Sequence, residues 1–223
     1  MVDGYDALVP DPAAIAALRH APVADLIRSR RLIAVLRRVE PRDRLLDLVV
    51  SLADDGVRMF EITFDAAEAG DDLVAVRHTL EVAGVTDAWV GAGTIVTLDR
   101  LEDAVRCGAA FVVGPTLDVP IIERAVELGV AVVPGAYSPT EIALAWRGGA
   151  TFVKVFPASS LGPSHVRELR GPLPDIELIA TGGVDATNAA AFLAAGCVAV
   201  GVGGALVNGT AADRQAIVAA AMP

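Results

Sequence analysis

Short apolar runs recur along the chain. Each ends in a Gly, Pro, Thr or charged residue and is followed by a longer amphipathic stretch. Glycines close the amphipathic stretches at Gly56, Gly84, Gly108, Gly129, Gly149 and Gly196, spaced 20 to 28 residues apart except for one long gap that holds a further unit. A helix that stops on Gly and hands over to a buried apolar run is the signature of a repeated βα unit. The pattern predicts strands at 32–36, 59–64, 88–93, 110–114, 130–135, 152–156, 176–181 and 198–202. Eight strands alternating with helices over this length point to a closed parallel (β/α)8 (TIM) barrel rather than an open doubly wound sheet.

Segment 11–30 is left over and is expected to form an extra N-terminal helix covering the bottom of the barrel, with residues 1–10 as a tail and 11–223 as a single barrel domain. The charge-free stretch Ala189–Val207 approaches membrane-spanning length, but Gly196, Gly201, Gly203 and Gly204 divide it into a helix end, a buried strand and a loop. The start MVDGYDALVP lacks the basic and apolar regions of a secretory signal, so a cytoplasmic location is expected and membrane association is not.

Composition narrows the function. The net charge is −10 and aromatics make up only 4% of the 223 residues, so the chain offers neither a basic groove nor a stacking surface for nucleic acid. His20, His78 and His165 show no metal-ligand spacing, and a metal-dependent reaction is disfavoured. Cys107 and Cys197 read as small, buried, apolar side chains.

Chemistry is sought at the strand ends, where barrels of this kind carry their sites. Of the 18 basic residues only Lys154 is a lysine; every other one is arginine. A position that keeps a primary amine in such a background suits chemistry closed to guanidinium, which stays protonated and is a poor nucleophile. Its apolar flanks in Phe152-Val153-Lys154-Val155-Phe156 predict a desolvated amine of lowered pKa. Glu61, in MFEITF, shares a face with Met59 and Thr63 by strand alternation. If that face is interior, its carboxylate reaches the lysine as a proton shuttle; the alternative is a structural ion pair with Lys154 or Arg37. Arg37, at the end of LIAVLR, is placed to clamp a carboxylate at the mouth, or else is a surface arginine like Arg38. The glycine pairs Gly182-Gly183 and Gly203-Gly204 follow the seventh and eighth strands, where backbone N–H groups often hold phosphate.

From Leu32 to Gly209 the motifs LIAVLR, FEITF, GAGT, VVPGAYSPTE, FVKVFPASSLGPSHVRELRGP, ATGGV and VGVGGALV, in this order, resemble the 2-keto-3-deoxy-6-phosphogluconate and 2-keto-3-deoxy-6-phosphogalactonate aldolase family. The resemblance implies a class I, cofactor-free carbon–carbon lyase of the Entner–Doudoroff type, with Lys154 forming a Schiff base with pyruvate and Glu61 moving protons. It further implies that Arg37, Thr94, Pro115 and Phe156 line the pyruvate end, and that Thr181, Gly182, Gly183, Gly203 and Gly204 line the phosphate end. The implied partners are a 2-keto acid, a phosphorylated aldehyde and two further copies of the chain in a homotrimer. Two departures stand out: many members carry Arg at the position of Asp65 and Ser at that of Gly204. Thr181 is similar to the gluconate-type members. The alternatives left open are the galactonate-derived or another 2-keto acid, including oxaloacetate-type decarboxylation, and a phosphosugar-binding barrel without catalysis.

Overall fold

The computed structural model describes residues 11–222; the tail expected at 1–10 lies outside them. All strands are parallel and lie in one sheet: β1 (Leu32–Leu36), β2 (Met59–Thr63), β3 (Trp89–Gly93), β4 (Phe111–Val113), β5 (Ala131–Val133), β6 (Gly135–Ala136), β7 (Val153–Val155), β8 (Leu178–Thr181) and β9 (Cys197–Val202). β1 pairs with both β2 and β9, while β5 pairs with β4 and β6 with β7. The nine segments therefore occupy eight positions. The expected fifth strand is cut in two at Pro134, which has no N–H to donate to the ladder. Its carbonyl still accepts from the Lys154 N–H at 2.9 Å, so the barrel closes across the break.

Helices alternate with the strands, and all six helix-end glycines have positive φ, from 69° at Gly129 to 115° at Gly196. L-residues rarely adopt that conformation, and it lets the chain turn directly into the next strand. SPTE, within the resembling motif, is structural: Ser138 and Glu141 form a capping box at the start of a helix (Pro139–Arg147).

The leftover N-terminal segment is two helices, α1 (Pro12–Arg19) and α2 (Pro22–Arg30), not one. Pro22 cannot continue a helix, and Ala21 before it is extended, with φ −67° and ψ 150°. Cover of the barrel bottom is as expected. Val23, Ala24 and Ile27 of α2 pack with Ile33, Met59, Phe111, Val113, Ala131, Val133, Phe152, Ile179 and Ala199, which fill the barrel's interior. An outer layer, including Leu32, Phe60, Ile62, Val112, Val153 and Ala180, faces the helices.

The stretch Ala189–Val207 divides into a helix (Ala189–Ala194), β9 and a turn into a short helix (Gly204–Asn208). No helix of the described residues is long and apolar enough to cross a membrane. Cys197 is buried, which pushes its thiol up to about 12; Cys107 is half-buried, and both are free.

Candidate active site

Strand alternation carries each interior column from apolar floor to polar mouth. Two residues above Met59 lies Glu61, two above Phe152 lies Lys154, two above Ile179 lies Thr181, and two above Ile33 and Ala199 lie Val35 and Gly201. Above the packed floor opens a cavity of about 390 Å³, lined by Val35, Arg37, Glu61, Lys154, Phe156, Thr181 and the loops Gly182–Asp185 and Gly203–Ala205. It lies at the C-terminal ends of the strands, and its volume suits a small metabolite.

Lys154 and Glu61 are 5% and 3% exposed. Burial pushes the Lys154 amine below its ordinary value; Glu61 opposes that shift and Arg37 adds to it. Burial likewise pushes the Glu61 carboxyl up, against the pull of Lys154 and Arg37. Each environment disfavours the charged form, which favours a nucleophilic amine and a carboxyl that holds its proton more readily than an exposed one. The Lys154 Nζ sits 4.6 Å from the centroid of the Phe156 ring. Space for Glu61 comes from the neighbouring strand, because a Cβ at Gly93 would lie 2.6 Å from its Cδ. Gly93 of GAGT thus leaves the room that Glu61 occupies.

Arg37 stands at the mouth. Its Nη1 donates to Asp65 Oδ2 at 2.9 Å and its Nη2 to Thr94 Oγ1 at 3.1 Å. Arg38 is exposed, as expected of a surface arginine, and it also holds Asp65. Its Nε lies 3.3 Å from Asp65 Oδ2 and its Nη2 donates to the Asp65 carbonyl at 2.8 Å. Burial pushes the Asp65 carboxyl up, but Thr63, Arg37 and Arg38 outweigh it and hold the carboxyl below its ordinary value.

At the far side, Gly182 and Gly183 have φ of 92° and 71°. A Cβ at Gly183 would meet the Ser159 side chain at 2.5 Å, so a larger residue there is excluded by space as well as by backbone. Gly204 has no such neighbour, with Asn208 the nearest atom at 3.9 Å from a built Cβ. Asp185, beside the glycine pair, accepts from the Thr187 hydroxyl and N–H, which hold its carboxyl low.

The structure thus brings Lys154, Glu61, Arg37, Phe156, Thr181 and both glycine pairs to one cavity, with Thr94 attached through Arg37. Pro115 is not among the lining residues; its carbonyl carbon and oxygen pack against Gly135 in the barrel wall. Sequence reasoning missed Val35, Val184, Asp185 and Ala205 as lining residues, and Asp65 as the partner of Arg37. The two-residue spacing above the apolar floor was the available signal for Val35. Nothing local signals Asp65, whose partner lies 28 residues away.

The profile of the family described as "KDPG and KHG aldolase" matches residues 23–220. The 2-dehydro-3-deoxy-6-phosphogalactonate aldolase of Escherichia coli (strain K12) is 34% identical over 192 residues, covering 85% of this chain and 91% of that protein. The 2-dehydro-3-deoxy-phosphogluconate aldolase of Treponema pallidum (strain Nichols) is 32% identical over 163 residues, covering 73% and 74%. A solved structure described as "Native KDPGal structure" superimposes with a TM-score of 0.76 at 33% identity, covering 85% of this chain and 93% of that one.

Proposed function

The chain belongs to the KDPG and KHG aldolase family and is a carbon–carbon lyase; from that premise we propose that it cleaves 2-keto-3-deoxy-6-phosphogluconate to pyruvate and glyceraldehyde 3-phosphate through a Schiff base on Lys154. The observation that carries this reading is the chain's one lysine, buried with Glu61 in a cavity at the catalytic end of the barrel.

Neutral Lys154 Nζ attacks the C2 ketone, and the carbinolamine loses water to give an iminium. Glu61, directly or through a water, takes the proton of the C4 hydroxyl. The C3–C4 bond breaks, its electron pair passes into the iminium to form an enamine, and the aldehyde leaves. Protonation at C3 and hydrolysis of the iminium then return pyruvate and the free amine. Arg37 and Thr94 hold the carboxylate, and Phe156 covers the pyruvate carbons. Backbone N–H groups of Gly182, Gly183, Gly203 and Gly204 hold the phosphate.

Thr181 in the cavity wall favours the gluconate-derived substrate. The galactonate-derived epimer is the second reading, favoured by the 34% identical relative. We further propose a homotrimer, with exposed Val96, Leu98, Val119 and Tyr137, in the loops and at the helix starts that follow β3, β4 and β6, supplying apolar contact surface.

Incubation with pyruvate and borohydride tests the reading. Peptide mass analysis should place the reduced adduct on Lys154, and an adduct confined to the terminal amine, or none, refutes the Schiff base. The ratio of kcat/KM on the two epimers decides between the substrates, and sedimentation decides the oligomeric state.

A further inference from the structure

Arg37 is gripped at both ends of its guanidinium, by Asp65 Oδ2 on Nη1 and by Thr94 Oγ1 on Nη2, while its remaining N–H groups carry no protein partner among the described residues. The two supports differ from the arginine they hold. Asp65 has a side chain 14% exposed, against 55% for Arg37, so the carboxylate is the more buried member of the pair and the arginine the one that faces solvent. Arg38 secures Asp65 through both its carboxylate and its backbone carbonyl.

The backbone on both sides of this frame is in the left-handed region. Arg38, with φ 46°, and Thr94, with φ 59°, are two of the three non-glycine residues with positive φ among those described. A β-branched residue such as Thr94 is a genuine outlier there, and such conformations persist only where the surroundings hold them. Conformational strain thus collects at Thr94, which accepts from Arg37, and at Arg38, which holds Asp65.

We propose that Asp65 is a positioning residue for the reaction: it presets the Arg37 guanidinium so that its free N–H groups meet the carboxylate of the 2-keto acid. The inference rests on the aldolase reading above. An exposed arginine without such a partner samples many rotamers and loses that freedom when it binds an anion; holding it beforehand removes that loss from the binding step. A carboxylate near an anion site also has an opposite effect, since it competes for the arginine and repels the substrate. Positioning and competition predict opposite signs on removal of Asp65.

The test measures the half-saturating concentration of pyruvate for borohydride trapping on Lys154 in the parent protein, Asp65→Ala and Asp65→Asn. Hydroxyacetone, a ketone without a carboxylate, is run in parallel. Asp65→Ala is expected to raise the pyruvate requirement about tenfold, the scale of fixing one long side chain on binding, with the saturating rate changed less than about twofold. Asp65→Asn keeps an oxygen for Arg37 Nη1 and should fall within about threefold of the parent. Trapping by hydroxyacetone should not change. Asp65→Ser, too short to reach Arg37, replaces the alanine variant if that variant fails to fold.

An unaltered pyruvate requirement in the alanine variant overturns the proposal. So does tighter pyruvate binding in both variants, which is the mark of competition, or an equal loss toward hydroxyacetone, which is the mark of general damage to the site. Absence of any Lys154 adduct in the parent protein instead removes the Schiff-base reading itself, and with it this inference.

Discussion

Gly93→Ala probes the site through the space around Glu61. The built Cβ would lie 2.6 Å from Glu61 Cδ and 2.7 Å from its Cγ, whereas carbon atoms in good contact sit about 3.5–4.0 Å apart. The carboxylate must therefore retreat by about 1 Å. Gly93 is not among the glycines of positive φ, so the backbone itself admits alanine. Misplacing a catalytic group by that distance lowers the rate about 10²-fold, or ~2.7 kcal/mol of barrier at 1.36 kcal/mol per tenfold. Overpacking should lower stability by about 1–3 kcal/mol, leaving the barrel folded. The assay is cleavage of 2-keto-3-deoxy-6-phosphogluconate, with released pyruvate measured by NADH-linked reduction and folding checked by circular dichroism. The same change made on a Glu61→Gln background should add less than about threefold, because the group it displaces no longer serves as a base. Near-parental cleavage by folded Gly93→Ala, or full additivity in the double variant, would refute the reasoning.

Four further outcomes follow from the same geometry. Lys154→Arg preserves the charge and removes the nucleophile, so cleavage should fall by at least about 10³-fold, roughly 4 kcal/mol; near-normal turnover by the folded variant contradicts the mechanism. In a pH profile, kcat/KM should rise as Glu61 ionises, at a pH above its ordinary 4.5, and level off once Lys154 is neutral, at a pH below its ordinary 10.5. A profile still climbing through pH 10.5 would show that burial does not depress the amine. Gly204→Ser enters open space and should tighten phosphorylated substrate by about 1 kcal/mol for one added hydrogen bond; an unchanged KM places the phosphate elsewhere. Ile27→Ala, at the fully buried plug of the barrel floor, should destabilise by about 2–5 kcal/mol in denaturant melts while leaving turnover per folded molecule unchanged.

Much of this protein is legible in its sequence because the determining signals are local and periodic. A helix that needs a left-handed terminus shows it as glycine, and a barrel strand shows its buried faces as an apolar run. Alternation puts Met59, Glu61 and Thr63 on one face whatever lies opposite, and the lysine count singles out Lys154 before any fold is known. Proline acted against two expectations, dividing the N-terminal segment before Pro22 and the fifth strand at Pro134. In both places the missing N–H was visible in the chain, and its consequence depended on what the neighbouring element required.

The distances between elements were decided only by closure of the barrel. Alternation assigns Glu61 a face but says nothing of the room that Gly93 leaves beside it, since β2 and β3 acquire their register by pairing. Asp65 reads in sequence as an acidic residue just past FEITF, and becomes the partner of Arg37 once β1 and β2 lie side by side. The resemblance implies that Pro115 lines the pyruvate end, whereas in the fold its carbonyl carbon and oxygen lie against Gly135 in the barrel wall. Local chemistry specifies which element forms and which face it buries, because those preferences act within a few bonds. The approach of side chains remote in sequence is specified only when every strand has found both neighbours.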